Sequence, residues 1–394
     1  MNFTDQKIKV LFISHSSAMA GAERSLLLLL SNIDRNRFEP IVLFPKVGPL
    51  KELVESSNIQ TYIVHYVWWA RVDNIKIPFK NIRGFRFYLK KEILAIKKII
   101  KIIKKEKIDI VYTNTSVITI GAVAAYITKK PHIWHIREII PDNPDLKYFL
   151  PNKIVLNFIV KYSNIVIVNS KFTAYQFSNI KNYNKKIRIV YNAVKFDSQN
   201  VQNNNSIISD KVSQNDWLVS VIGTLLKAKS QEDAIYAINI AKQKIPNIKL
   251  LVVGGGDNKY KDYLQNIVTS LKLDNRVLFL GFRNDVSLII KKSNVILTTS
   301  LMEPFGNVTL EAMQYGVPII GVNTGGTKEI ITDGIDGFLV SPHSPEMIAE
   351  KLLLLYENPE IANKLALAGK KTIAQKFNLN NYIQAIEKII ESFF

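Results

Sequence analysis

Two carboxylates stand eight positions apart in "EPFGNVTLE", Glu303 and Glu311, with Pro304, Phe305 and Gly306 between them. Pro304 biases Glu303 toward extended backbone, and Gly306 lets the main chain approach a ligand closely. A helix expected from about Asn307 to Tyr315 would turn its first N–H groups, near Val308 and Thr309, toward an anion. Carboxylates are poor partners for phosphate but good acceptors for hydroxyls. In order, the segment therefore reads sugar, phosphate, ribose. The same residues would also suit a helix with an ordinary acidic side chain in its first turns.

The elements that must position this segment follow from patterning. "KIKVLFIS", "PIVLFP", "DIVYTNT", "PHIWHI" and "NIVIVNS" are short Val- and Ile-rich runs, most of them followed by a helical stretch, and "WLVSVIG", "IKLLVVGGG", "RVLFLGF", "NVILTTS", "VPIIGV" and "GFLVS" repeat the pattern in the second half. Continuous apolar strands suit parallel sheets buried on both faces. The 394 residues, 47% hydrophobic, are enough for two cores. The polar stretch "QNVQNNNSIISDKVSQND" at 199–216 reads as a connection or surface loop between them. We therefore expect an α/β chain of two doubly wound, Rossmann-like parallel-sheet domains facing across a cleft, with ligands beyond the carboxyl ends of the strands.

Residues 278–342, "LFLGFRNDVSLIIKKSNVILTTSLMEPFGNVTLEAMQYGVPIIGVNTGGTKEIITDGIDGFLVSP", closely resemble the donor-binding domain of retaining glycosyltransferases of family 4, which have the two-domain GT-B fold. The resemblance implies that Glu303 contacts the donor's sugar hydroxyls and Glu311 the nucleotide ribose, while Phe305, Gly306, Asn307 and Val308 offer backbone contacts to sugar and phosphate. It extends to "VLFISHSSAMAGAERSLLLLL", where Gly21 would approach the donor phosphates, and to "PHIWHIREI", where His135 would be the active-site histidine near the sugar. His135 and Glu303 are the catalytic candidates. "IRIVYNAV" is similar to the crossing between domains, with Asn192 helping to close the cleft.

In "GTLLKAKSQ", Gly223 and Lys229 match the family's diphosphate-binding loop, but Thr224 stands where an Arg is usual. A hydroxyl does not replace a guanidinium fork. Lys227 lies close enough to act as a substitute point charge. The glycine turn Gly254 to Gly256 would lie near the nucleotide; as a dinucleotide fingerprint it fails, because Lys259 occupies the third glycine position. The implied domains are residues 1–195 on the acceptor side, 196–375 for the donor, and a terminal helix at 376–394 packing back on the first.

Residues 1–195 carry 32 Lys and Arg against 13 Asp and Glu, while residues 196–394 carry 20 of each, so the net charge of +19 belongs to the first half. That asymmetry points to an anionic partner. In "LKKEILAIKKIIKIIKKEKI" at 89–108, Leu89, Ile93, Ile96, Ile100 and Ile103 are expected on a buried helix face, with Lys90, Lys97, Lys98, Lys101, Lys104 and Lys105 clustered on another. That basic face, over 89–107, suits either plain solvation or an anionic lipid surface.

With no cysteine, no leading basic-then-apolar segment and no apolar run near the roughly 20 residues needed to span a bilayer, a cytoplasmic protein is expected, peripheral on the inner face of the cytoplasmic membrane. No cluster with metal-ligand spacing is evident, and the family generally works without a bound metal, so neither metal nor other cofactor is expected beyond the nucleotide-sugar co-substrate. Nucleic acid is disfavoured, since the basic residues lack an interleaved stacking platform. The implied activity is retaining transfer of a hexosyl-type sugar to a glycan or lipid-linked acceptor, as in cell-surface polysaccharide or glycolipid assembly. The alternatives are a nucleotide-sugar epimerase of the same fold and a catalytically silent sugar-nucleotide binder.

Overall fold

The computed structural model describes residues 6–72, 82–141, 143, 146–194 and 212–394; the polar stretch expected as a connection lies outside them up to residue 211. The chain forms two compact units, Met1–Asn192 with Asn380–Phe394, and Ala193–Leu379.

The first unit runs β1 (Ile8–Ser14), α1 (Gly21–Asn32), β2 (Phe38–Phe44), α2 (Pro49–Ser56), β3 (Gln60–Ile63), β4 (Ala70–Val72), α3 (Ile82–Lys105), β5 (Ile110–Asn114), α4 (Ile120–Thr128), β6 (His132–Ile136), β7 (Leu146–Tyr148), α5 (Asn152–Lys161), β8 (Ile165–Val168), α6 (Lys171–Tyr175), α7 (Tyr183–Lys186) and β9 (Ile187–Ile189). Seven strands form one parallel sheet in the order β3-β2-β1-β5-β6-β8-β9, and β4 pairs antiparallel with β7. Val10 to Ile13 of β1 are wholly buried, as a central strand covered on both faces must be. The order reverses between β1 and β5, where Ser14 stands level with Asn114.

The second unit runs β10 (Trp217–Ile222), α8 (Gln231–Ala241), β11 (Ile248–Val253), α9 (Asn258–Ser270), β12 (Val277–Gly281), α10 (Val286–Lys292), β13 (Val295–Thr298), α11 (Asn307–Tyr315), β14 (Ile319–Val322), α12 (Thr327–Ile330), β15 (Phe338–Val340), α13 (Pro345–Glu357) and α14 (Pro359–Lys376). Its parallel sheet has the order β12-β11-β10-β13-β14-β15, reversing between β10 and β13. A last helix, α15 (Leu379–Glu391), lies almost wholly in the first unit. There the buried Glu387 carboxylate accepts from the Asp34 N–H at 2.8 Å and from Arg37, which also pairs with Glu391.

The face that α3 buries differs from the expected one. Glu92, Ala95, Ile99, Ile102 and Ile103 are buried, whereas Leu89 and Ile93, expected inside, are 41% and 51% exposed, with Leu94 beside them. The helix carries more apolar residues than one stripe can hold, so periodicity alone allows two neighbouring faces. Packing against α4 and the core that contains Ile118 and Ala124 selects the stripe through Ala95 and Ile99. Ile99→Ala should therefore cost roughly 2–5 kcal/mol, whereas Ile93→Ala should stay within about 0.5 kcal/mol of wild type. Denaturant unfolding followed by circular dichroism separates the two; equal losses would return Ile93 to the core.

Candidate functional site

In the second unit, β10 and β13 are neighbours at the point where the sheet reverses, so the loops leaving their carboxyl ends must meet. The loop after β10 carries Gly223 and Thr224 and tightens into a 3₁₀ turn, Lys227–Lys229. The loop after β13 carries Glu303. The Thr299 hydroxyl donates to the Lys229 carbonyl at 2.7 Å, and the Leu301 N–H donates to the Ala228 carbonyl at 2.9 Å. These bonds bring the Lys229 ammonium onto the Glu303 carboxylate, both side chains being only partly exposed. Lys227 and Thr224, by contrast, face solvent.

Helix α11 begins where the sequence places it, with Gly306 as its N-cap at φ +117°. Its first intrahelical bond runs from the Leu310 N–H to the Gly306 carbonyl, so the amides of the preceding turn are directed at the loop. The Thr309 hydroxyl in that turn is buried without a partner. Glu311 sits one turn further along, half-buried. Phe305 is 1% exposed and meets Phe377 edge-on at 5.8 Å, so its ring belongs to the core.

Two glycine pairs frame these loops. A Cβ at Gly254 would overlap the Gly223 carbonyl, and one at Gly256 would lie 2.7 Å from the Leu225 nitrogen. Packing of the two loops against each other thus explains these glycines without any ligand. Sequence reading missed the second pair. The Gly326 N–H donates to the Glu303 carbonyl at 2.8 Å, and a Cβ there would stand 2.7 Å from both the Pro304 and Phe305 carbonyl oxygens. The double glycine in "NTGGT" was a readable signal of close backbone approach.

In the first unit, Gly21 opens α1, whose first bond runs from the Arg24 N–H to the Ala20 carbonyl. His15, in the loop after β1, lies 3.2 Å from the buried Glu23. His15 Nδ1 and the other Glu23 oxygen have no partner. Tyr66 donates to the Ser14 carbonyl and Trp68 to the His15 carbonyl, fixing the strand end. Nearby in sequence, Val67 donates its N–H at 3.2 Å to Glu92, whose carboxyl burial pushes up to about 7.

His135, near the carboxyl end of β6, is fully buried. Its Nδ1 faces the Tyr112 hydroxyl and, at 3.3 Å, the Arg137 guanidinium, while Nε2 has no partner. Burial, together with the Arg137 charge, holds its pKa well below the ordinary histidine range. Asn192 accepts from Arg137 at 2.8 Å. Arg137 itself escaped sequence reading, although a residue two positions beyond a strand histidine lies on the same face. Among the described residues no group of three or more His, Asp and Glu is arranged to hold a metal ion, and no helix is long and apolar enough to cross a membrane.

Residues 19–198 match the family model "Glycosyltransferase Family 4", and residues 203–372 match "Glycosyl transferases group 1". The chain is 25% identical over 306 residues to N-acetyl-alpha-D-glucosaminyl L-malate synthase of Bacillus anthracis, covering 74% of this chain and 77% of that protein. It is 23% identical over 401 residues to UDP-Gal:alpha-D-GlcNAc-diphosphoundecaprenol alpha-1,3-galactosyltransferase of Escherichia coli, covering 99% and 97%. The fold is that of Anabaena Alr3699/HepE in complex with UDP and glucose, with TM-score 0.81, 24% identity and coverage of 98% and 100%.

Gly326→Ala should push the Glu303 loop aside and destabilise the second unit by roughly 1–3 kcal/mol, the usual cost of overpacking. Thermal unfolding reads this directly, and an unchanged midpoint would mean that the loop yields freely.

Proposed function

The chain is a glycosyltransferase of the GT-B type, and from that premise we propose that it moves a hexosyl sugar from a nucleoside diphosphate to a glycan or lipid-linked acceptor, with retention at the anomeric carbon. The observation that supports this most is the convergence of Lys229, Glu303 and the start of α11 where the second sheet reverses. A cation and directed amides suit a diphosphate, while an adjacent carboxylate suits sugar hydroxyls.

In this reading Lys229 leaves Glu303 when the donor binds and meets the diphosphate, whose charge it shares with the α11 amides rather than with a metal. Glu303 then accepts from the sugar hydroxyls and Glu311 from the ribose, while His135 contacts the sugar. The bond from the anomeric carbon to the leaving phosphate oxygen breaks, a bond to the acceptor oxygen forms on the same face, and the acceptor's proton passes to the leaving phosphate. Groups that stabilise the developing phosphate charge contribute most to such a step. UDP and glucose in the Anabaena neighbour support a uridine nucleotide as the first probe. The undecaprenol-linked substrate in the name of the E. coli relative, matched over 99% of this chain, supports a lipid-linked acceptor.

Such an acceptor fits a protein peripheral on the cytoplasmic membrane. Leu89, Ile93 and Leu94 are exposed on α3 among Lys90, Lys97, Lys98 and Lys101. Apolar side chains for the acyl boundary, and lysines each contributing about 1 kcal/mol near an anionic surface, make a docking face.

Lys229→Ala should lower kcat/KM with a UDP-sugar by about 100- to 1000-fold, the range for removing one group from a developing anion, and should weaken UDP binding. Glu303→Gln, which releases Lys229 in the resting protein, should bind UDP at least as tightly as wild type while turnover collapses. Calorimetry and steady-state rates test both; near-wild-type turnover by Lys229→Ala would refute the assignment.

The full chain should float with liposomes rich in acidic phospholipid at low salt and detach as salt rises, because the Debye length is only about 8 Å at physiological ionic strength. Combined Lys97→Gln, Lys101→Gln and Lys104→Gln substitutions should lower recovery, as should Ile93→Ser with Leu94→Ser, with UDP affinity unchanged. Equal recovery of all three proteins would remove the membrane face.

A further inference from the structure

Two histidines of β6, His132 and His135, are three residues apart, so their rings lie on opposite faces of the sheet, and both are buried. Their partners require opposite tautomers. At His132, Nδ1 lies 2.9 Å from the Tyr162 carbonyl, which can only accept, so the proton is on Nδ1; Nε2 then accepts from the Thr113 hydroxyl at 2.8 Å. At His135 it is Nδ1 that faces the donors. The Tyr112 hydroxyl could serve in either sense, but the Arg137 guanidinium, 3.3 Å away, has N–H groups only. An N–H on Nδ1 would point at that cation. The proton must therefore be on Nε2, and that N–H has no partner.

Arg137 is itself held in place. It is buried and donates to Asn114 Oδ1 at 2.9 Å, Asn192 Oδ1 at 2.8 Å and the Tyr382 hydroxyl of α15 at 3.2 Å. None of these side-chain partners is a carboxylate, and the guanidinium charge helps hold the imidazole beside it neutral. Among the described residues, the titratable and charged groups that face the ring are Tyr112 from β5, Arg137 from the segment after β6, and Tyr382 from α15, while the Glu138 carboxylate is turned to the Arg137 and Ser116 amides. No carboxylate among the groups that face the ring would favour an imidazolium. Burial raises the Tyr112 hydroxyl well above the ordinary tyrosine range, so it stays protonated and available as a donor.

An unpaired buried N–H costs about 1–3 kcal/mol. We propose that Arg137 is a positioning residue: by donating to His135 Nδ1 it fixes the imidazole as a neutral Nε2–H donor, and this N–H is kept for an oxygen of the donor sugar rather than for proton transfer. The second clause rests on the glycosyl-transfer reading. The first concerns the protein alone.

The test uses the ¹⁵N-labelled full chain without substrate. Long-range imidazole spectra are recorded from about pH 5.5 to 8, where an ordinary histidine titrates, and the rings are assigned by subtraction with His132→Asn and His135→Asn. Wild-type His135 should remain neutral and protonated on Nε2 throughout, with His132 protonated on Nδ1 in the same spectrum as an internal contrast. Tyr112→Phe should leave the His135 tautomer in place. Arg137→Met should give mixed tautomers or a titrating ring, and sugar transfer should acquire an acidic limb that follows it. Arg137→Lys, which keeps a charge and a donor, should restore the Nε2–H form.

Wild-type His135 protonated on Nδ1, or titrating in this range, would overturn the proposal even if Arg137→Met does not fold. So would an Arg137→Met protein with an unchanged tautomer and pH profile. Since the spectra need no substrate, failure of the transfer reading would leave the tautomer result standing, and the reverse also holds.

Discussion

Strand β10 is hydrogen-bonded on one side to β11 and on the other to β13, and this double parallel pairing governs the second unit. Because the strand order reverses at the β10–β13 pairing, the connections that leave these two strands cover opposite faces of the sheet, so the loops at their carboxyl ends have no helix between them. Residues 74 positions apart in the chain, Lys229 and Glu303, thereby become partners. The remaining features serve that approach. Thr299 and Leu301 bind the 3₁₀ turn, Gly326 holds the Glu303 backbone, and the Phe305 ring anchors the start of α11 in the core.

The first unit solves a different problem, the burial of polar groups near the carboxyl end of its own sheet. Asn114, His135, Arg137, Asn192 and Tyr382 come from β5, β6, the chain after it, the segment before the first unit ends, and α15. A buried guanidinium is costly unless its donors are satisfied. Docking α15 through Glu387 to Arg37 and the Asp34 amide supplies one of the missing acceptors, Tyr382, from a remote stretch of sequence. Order in this network therefore depends on a helix that follows the whole second unit in the chain.

How much of this was legible in the sequence depends on how local its cause is. The bounds of α11 follow from Pro304, Gly306 and Gly316, and the central strands from unbroken Val and Ile runs; all these signals act within a few residues. The buried face of α3 was not legible, because Ile93 and Ile99 are equally apolar and only the partner surface distinguishes them. The Lys229–Glu303 pair was hidden for a related reason. Each residue had a role in contact with ligand, and nothing local says that they meet when none is bound. Arg137 was overlooked although its spacing from His135 was readable, since an arginine just past the end of a strand more commonly marks a solvated edge.

The pair also bears on Thr224, which stands where an arginine is usual. Lys227 and Lys229 end a 3₁₀ turn from opposite sides, so only one of them points inward; Lys229 is half-buried, while Lys227 and Thr224 are exposed. Of the two lysines of this turn, Lys229 is the inward one, and in the resting protein a carboxylate already matches it. Both side chains retain contact with water, at 27% and 20% exposure, so the pair contributes little net stability and is easily exchanged. In the proposed reading, a diphosphate, with greater charge and the α11 amides as further donors, takes Lys229 from Glu303 without a large penalty and leaves the carboxylate free for hydroxyls. A second inward arginine would compete for Glu303 before the donor arrived. In the proposed reading, Thr224 leaves the exchange to Lys229, and the exposed Lys227 remains on the solvent side of the same turn.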